Sequence, residues 1–160
     1  MIGLKTAAQV CALALATALV TPASAAEGFG KKIGQTGRWT LYAEINSMTD
    51  QKDCTALFDD RIGVQLTHDS LAISLRGRGG IRAYRIRLDE APARPLQLAT
   101  DREKGVSAIF ISDDLFSEAV GSKRLRVAAF TILSSTVEED IDLSGIAKVR
   151  QTFDSAGCRS

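Results

Sequence analysis

The sequence predicts a mainly β, α+β fold: an antiparallel sandwich or barrel-like sheet of about seven to eight short strands, with one C-terminal helix packed on it. Three observations predict it. Apolar residues alternate with polar ones over short runs such as "RWTLYAEI". Polar, glycine-rich or proline-containing breaks separate those runs. A helical period is sustained in only one place, near the end of the chain.

In "RWTLYAEI", Trp39, Leu41, Ala43 and Ile45 point one way, and Arg38, Thr40, Tyr42 and Glu44 the other. A period of two is a half-buried strand. "MTDQKD" turns the chain and "CTALF" (54–58) is the next strand. "DDRIG" turns again and "VQLTH" continues. In "LAISL", Leu71, Ile73 and Leu75 share a face. "RGRGG" supplies glycines for a reversal. "IRAYRIRL" then returns with Tyr84, Ile86 and Leu88 inward and Arg85 and Arg87 outward, so 71–88 is predicted to be a β-hairpin. Pro92 and Pro95 exclude a central strand in "DEAPARPLQL". "VSAIFIS" is β-rich. In "DDLFSEAVG", Asp113 or Asp114 caps a short helical turn that Gly121 ends. "RLRVAAFTIL" is the strongest buried strand, and "STVEEDIDL" adds one more.

The helical pattern runs over 144–156. Ile146, Val149 and Phe153 recur at three and four residues and form its core stripe. Lys148, Arg150 and Gln151 fall on the wet side. Asp142 or Ser144 is its expected cap, and Gly157 suits the left-handed residue just past its end.

The 160-residue chain opens "MIGLKTAAQVCALALATALVTPASAAEGF". A lysine, an apolar run broken at Pro22 and the small residues "ASA" make the three-part pattern of a secretory leader over 1–25. Cleavage is expected after Ala25 or Ala26. The expected destination is the periplasm, or full secretion. Residues 26–37, "AEGFGKKIGQTG", read as a flexible lead-in. Residues 38–160 read as one β-rich domain, large enough to bury about two-thirds of its unfolded surface. Lys5 is the only charge in the leader, so removing it takes the formal net charge from +1 to 0. A neutral chain gives no argument for nucleic acid. No later stretch is apolar and long enough for a transmembrane segment.

Cys11 lies in the leader, which leaves Cys54 and Cys158. In an oxidising compartment an even pair is expected to be bridged. Their only intramolecular connectivity is Cys54–Cys158, closing a loop of roughly 100 residues. A redox or nucleophilic role would call for a C-x-x-C pair or a nearby histidine, and neither accompanies them in sequence.

His68, the only histidine, stands beside Asp69 and Ser70. These are the residue types of a hydrolase triad, but a triad is assembled in space from separate elements, and there is no Gly-x-Ser-x-Gly elbow. A turn histidine is the plainer reading. One histidine and two bridged cysteines do not make a zinc site, and "EEDID" (138–142) lacks the spacing of a calcium loop. No catalytic residue, metal ligand or cofactor is assigned. The densest positive cluster is Arg76, Arg78, Arg82, Arg85 and Arg87. Guanidinium groups suit phosphate and carboxylate, so this segment is the candidate surface for an anionic partner, whether lipopolysaccharide, a phospholipid headgroup or an acidic protein face.

The order of "RWTLYAEI", "CTALF", "LRVAAF", "DIDLSGIAKV", a helix and a terminal cysteine resembles small periplasmic proteins of the invasion-associated locus B type. It also resembles a periplasmic family associated with type VI secretion, in which a late (F/D)-x-Leu-Ser-Gly turn leads into a final helix. The resemblance covers the first strands and the last third of the chain. It implies a β-rich fold, export and a non-enzymatic accessory role in the envelope or a secretion system, and it carries over no binding site. The opening "GRWTL…C" is similar to that of small β-barrel inhibitors of periplasmic metalloproteases, although here the second cysteine lies at the far end. That second resemblance implies a protease inhibitor whose segment up to Gly37 enters a cleft. A small hydrolase is the remaining alternative.

Overall fold

The computed structural model describes residues 28–59 and 61–158. The expected leader, 1–25, lies outside them. Among the described residues there are ten strands and three helices. The strands are β1 (Lys31–Thr36), β2 (Trp39–Ile45), β3 (Lys52–Phe58), β4 (Arg61–Leu66), β5 (Leu71–Ser74), β6 (Ala83–Leu88), β7 (Gln97–Leu98), β8 (Ala108–Ile111), β9 (Arg124–Phe130) and β10 (Thr136–Asp142). The helices are α1 (Asp101–Val106), α2 (Asp113–Gly121) and α3 (Ile146–Ser155).

All pairings are antiparallel and fall into two sheets rather than a closed barrel. Sheet 1 has the order β1-β2-β3-β4-β5-β8, and sheet 2 the order β10-β9-β6-β7. Register explains the burial. Leu41, Ala56, Leu66, Leu71 and Ile111 stand opposite one another across five strands of sheet 1. In sheet 2, Ile141, Leu125 and Leu88 do the same. Residues in one such row share a face. These rows and the stripes of α2 and α3 form one continuous core, with Trp39, Phe58 and Phe153 among its largest buried side chains. Among the described residues no helix is long and apolar enough to cross a membrane.

Five expectations are corrected. The segment 71–88 is not a hairpin: β5 pairs with β4 and β8, whereas β6 pairs with β9 and β7. Its glycine-rich loop carries the chain from one sheet to the other. Leu75 N donates to Ser107 O at 2.7 Å, and Arg82 N donates to Phe130 O at 2.9 Å, so the two ends of the loop belong to different sheets. Leu75 and Ile81 are buried and pin the crossing to the core. Second, much of 26–37 is not a lead-in. Residues 31–36 form β1 on the edge of sheet 1. Phe29 stacks near Tyr42 with ring centroids 6.3 Å apart, in a small apolar cluster with Leu57 on the second face of sheet 1. Gly30 takes φ +78°, and a Cβ there would stand 2.4 Å from Ala43 O, so only glycine fits.

Third, "DDLFSEAVG" is a nine-residue helix whose cap position is Ser112 rather than an aspartate. Fourth, the cap position of α3 is Gly145, one residue past Ser144 and three past Asp142, the expected caps. Asp142 Oδ1 accepts from Ser144 N at 2.8 Å and so orders the approach to the helix. Hydrogen bonding from the Ser144 side chain, and then from its backbone N, holds the Asp142 carboxyl below the usual carboxylate range. The expected α3 stripe is present: Ile146, Val149 and Phe153 are buried. Arg150, expected on the wet side, instead lies over the Phe116 ring of α2 at 5.5 Å.

Candidate anion-binding surface

The five arginines singled out in the sequence divide into two kinds. Arg78 pairs with Glu139 of β10. Arg87 donates from Nε to Ala91 O at 2.8 Å and from Nη2 to Glu90 Oε2 at 2.7 Å. Arg76, Arg82 and Arg85 are exposed, and among the described residues their guanidiniums make no ion pair or hydrogen bond.

Register places Arg85 and Arg87 on the outer face of sheet 2. Arg85 stands opposite Ala128, which stands opposite Glu138; Arg87 stands opposite Arg126, which stands opposite Asp140. The small Ala128 leaves a groove of about 270 Å³, lined by Arg85, Arg87, Arg126, Glu138, Asp140 and Ala93 among others. Arg126 completes a charge network: Nη2 reaches Glu90 Oε1 at 3.3 Å and Nε reaches Asp140 Oδ2 at 3.8 Å. Arg124 binds Asp140 through both Nε and Nη2. The Arg124 hydrogen bond holds the Asp140 carboxyl below the usual range, and the same contact raises the Arg124 guanidinium. Glu90, Glu139 and Asp140 are therefore neutralised by neighbours. Glu138 is not, and it faces Arg85 across Ala128, so the groove is not a site of net positive charge. The uncompensated positive charge lies at the end of the sheet, on Arg76 and Arg82.

That end is also apolar. The β9–β10 turn exposes Ile132 and Leu133. Leu98 of β7, opposite Ala83 and in line with Phe130, is also exposed, two strands from β9. The glycines of the arginine loop make this packing possible. Ile132 N donates to Gly79 O at 3.2 Å. A Cβ on Gly80 would stand 3.2 Å from Ile132 Cδ1, and one on Gly79 would stand 3.3 Å from Leu133 Cδ1; both residues have positive φ.

The other expected features are placed as follows. Cys54 and Cys158 are bridged, with their Cα atoms 5.6 Å apart. The bridge joins β3 to the end of α3, where Lys52 Nζ also donates to Ala156 O at 2.7 Å. His68 Nε2 lies 2.8 Å from Asp154 Oδ1 of α3. Asp69 and Ser70 bond Thr67 instead, so "HDS" does not assemble around His68. Glu138 and Asp140 point out of sheet 2 while Glu139 shares the inner side with Val137, so "EEDID" is spread over two faces.

Two features escaped the sequence reading. Arg124 and Arg126 carry the same outward alternation in "RLRVAAF" that marked Arg85 and Arg87. Glu103 is buried and accepts from Tyr84 Oη at 3.0 Å, Thr100 N at 2.8 Å, Thr100 Oγ1 at 2.9 Å and Phe110 N at 3.3 Å. Thr100 and Glu103 form a capping box on α1, a signature visible as T-x-x-E. Burial, together with the Glu103 charge and hydrogen bond, pushes the Tyr84 hydroxyl up to about 12. Four donors on one carboxylate tie α1 to β6 and β8; the arrangement is structural.

No family model, curated protein or solved structure matches the chain.

Proposed function

We propose that this is an exported, non-enzymatic binding protein, an accessory of the cell envelope or of a secretion system, that meets an anionic partner through the arginine end of sheet 2. One observation carries the reading: Arg76 and Arg82 present guanidiniums with no internal counter-ion among the described residues, while Arg78, Arg87, Arg124 and Arg126 are all paired. A free guanidinium fixed at a folded loop offers a planar fork to phosphate or carboxylate. The inhibitor alternative needs a free segment before Gly37. Residues 31–36 are paired along β2, which counts against it. The test is capture from a periplasmic extract at low ionic strength, using wild type and an Arg76→Gln, Arg82→Gln variant. The reading expects a component held by wild type, released by the variant and weakened as salt screens the contact. Capture indifferent to both changes would sink it.

A further inference from the structure

We infer that the end of sheet 2 built from loop 75–82 and turn 131–135 docks on an anionic phospholipid surface. Ile132 and Leu133 enter the headgroup region, and Arg76 and Arg82 meet the lipid phosphates. The inference rests on the anionic-partner reading and names the partner's class.

Three independent features converge. The first is apolar exposure at a hairpin tip: Ile132 is 62% exposed and Leu133 76%. Single exposed aliphatics are ordinary, but contiguous ones at a tip flanked by cations mark an interaction surface.

The second is rigidity. Thr131 is fully buried, donates from N to Ser135 O at 2.9 Å and shares a 2.7 Å hydroxyl contact with Ser135 Oγ. Ser135 N donates to Thr131 Oγ1 at 3.1 Å, and Ser134 N to Thr131 O at 3.2 Å. The turn is thus closed by its own hydrogen bonds and lies against the glycines of the arginine loop. Its apolar pair is held outward, so little ordering cost attends docking.

The third is charge. Residues 75–82 and 131–135 hold three arginines and no acidic residue. Arg78 is committed to Glu139, and among the described residues the Arg76 and Arg82 guanidiniums have no partner. A bilayer surface presents these two chemistries in layers, phosphate outside and hydrocarbon beneath. A protruding aliphatic tip on the same sheet end as unpaired guanidiniums matches that order. An acidic protein face would satisfy the arginines and leave the tip without an apolar recess.

The experiment is co-sedimentation of the full chain, in its natural processing state as checked by mass, with vesicles. One set is phosphatidylcholine alone and the other phosphatidylcholine with phosphatidylglycerol. Comparing variants with wild type in the same state removes any contribution of the first residues. Wild type is expected on the anionic vesicles only. Arg76→Gln and Arg82→Gln should each weaken binding roughly fivefold. Ile132→Asn with Leu133→Asn, which adds no charge, should weaken it more than tenfold. Unchanged melting temperatures confirm that these variants are folded. If the asparagine pair binds as wild type does, the lipid inference is overturned. Soluble polyglutamate competing the protein off the vesicles, with the arginine variants losing polyglutamate binding, would also overturn it while leaving the anionic-partner reading intact. Indifference of every arginine variant to vesicles and polyglutamate alike would overturn both.

Discussion

The end of α3 and the arginine end of sheet 2 are both places where the chain leaves regular structure, yet they are built on opposite lines. At α3 the apolar stripe points inward and the end is tied to the rest of the fold. Ile146, Val149 and Phe153 are buried, Cys158 is bridged to Cys54, and Lys52 and His68 bind Ala156 O and Asp154. At the sheet end only Leu75, Ile81 and Thr131 are sunk in the interior. Arg76, Arg82, Ile132 and Leu133 face solvent. The difference teaches that stability and recognition are separable here. Packing dictates the residues at the helix, whereas nothing in the fold requires two free guanidiniums beside an exposed aliphatic tip.

The comparison breaks most readily at Phe153. Its ring is fully buried in the main core. Phe153→Ala should cost about 3–5 kcal/mol, measured by denaturant unfolding. A loss under 1 kcal/mol would mean that α3 is not part of the cooperative unit. Next comes the bridge, which spans 104 positions. Cys158→Ser should cost about 2–4 kcal/mol and lower the melting temperature by several degrees, as should reduction of wild type. Two titratable thiols in the native protein would refute the bridge itself.

Tyr84 sharpens the same contrast at a buried polar contact. Its hydroxyl ionises near 12 in the folded chain against 10.0 for a free tyrosine. A raised folded-state pKa means that the unfolded chain releases its proton first. Stability is therefore unaffected below pH 10 and falls as pH rises from 10 to 12, by on the order of 2 kcal/mol. Tyr84→Phe should be less stable at neutral pH, because Glu103 loses one of its donors, and should lose this alkaline phase. An alkaline phase of full size in Tyr84→Phe would assign it to other groups.

Much of this was legible from residue order, and the reasons are local. β2 follows from alternation, and β3 and β9 from short apolar runs; α3 follows from the spacing of Ile146, Val149 and Phe153; the disulfide follows from the two cysteines left once the expected leader is set aside. Gly157 does sit past the helix with φ +69°. Sheet membership was not legible, because a glycine-rich loop that reverses a hairpin has the same composition as one that crosses between sheets. Only the partners of Leu75 N and Arg82 N decide between them. β1 was missed because an edge strand reading "KKIGQT" keeps its polar residues toward solvent and shows no apolar period. α1 was missed because six residues carry no repeat, although its capping box was in plain view. The arginine cluster was legible as charge. Which members are free was not, since Glu139, the counter-ion of Arg78, comes from a strand that only the fold brings near.

The smallest expected effect is the most discriminating. Among the described residues the exposed Arg76, Arg82 and Arg85 guanidiniums make no hydrogen bond or ion pair, so changing all three to Gln chiefly removes charge. Exposed substitutions of this kind fall within about 0.5 kcal/mol. The triple variant should therefore melt within a degree or two of wild type, as measured by calorimetry at moderate salt. A drop of several degrees would show that these guanidiniums hold the fold through contacts that form in solution, and they would then belong with α3 on the structural side of the comparison. An unchanged melt together with lost binding to anionic vesicles is the result that separates the two regions. The same protein would then have one end whose residues answer to the core and another whose residues answer to a partner.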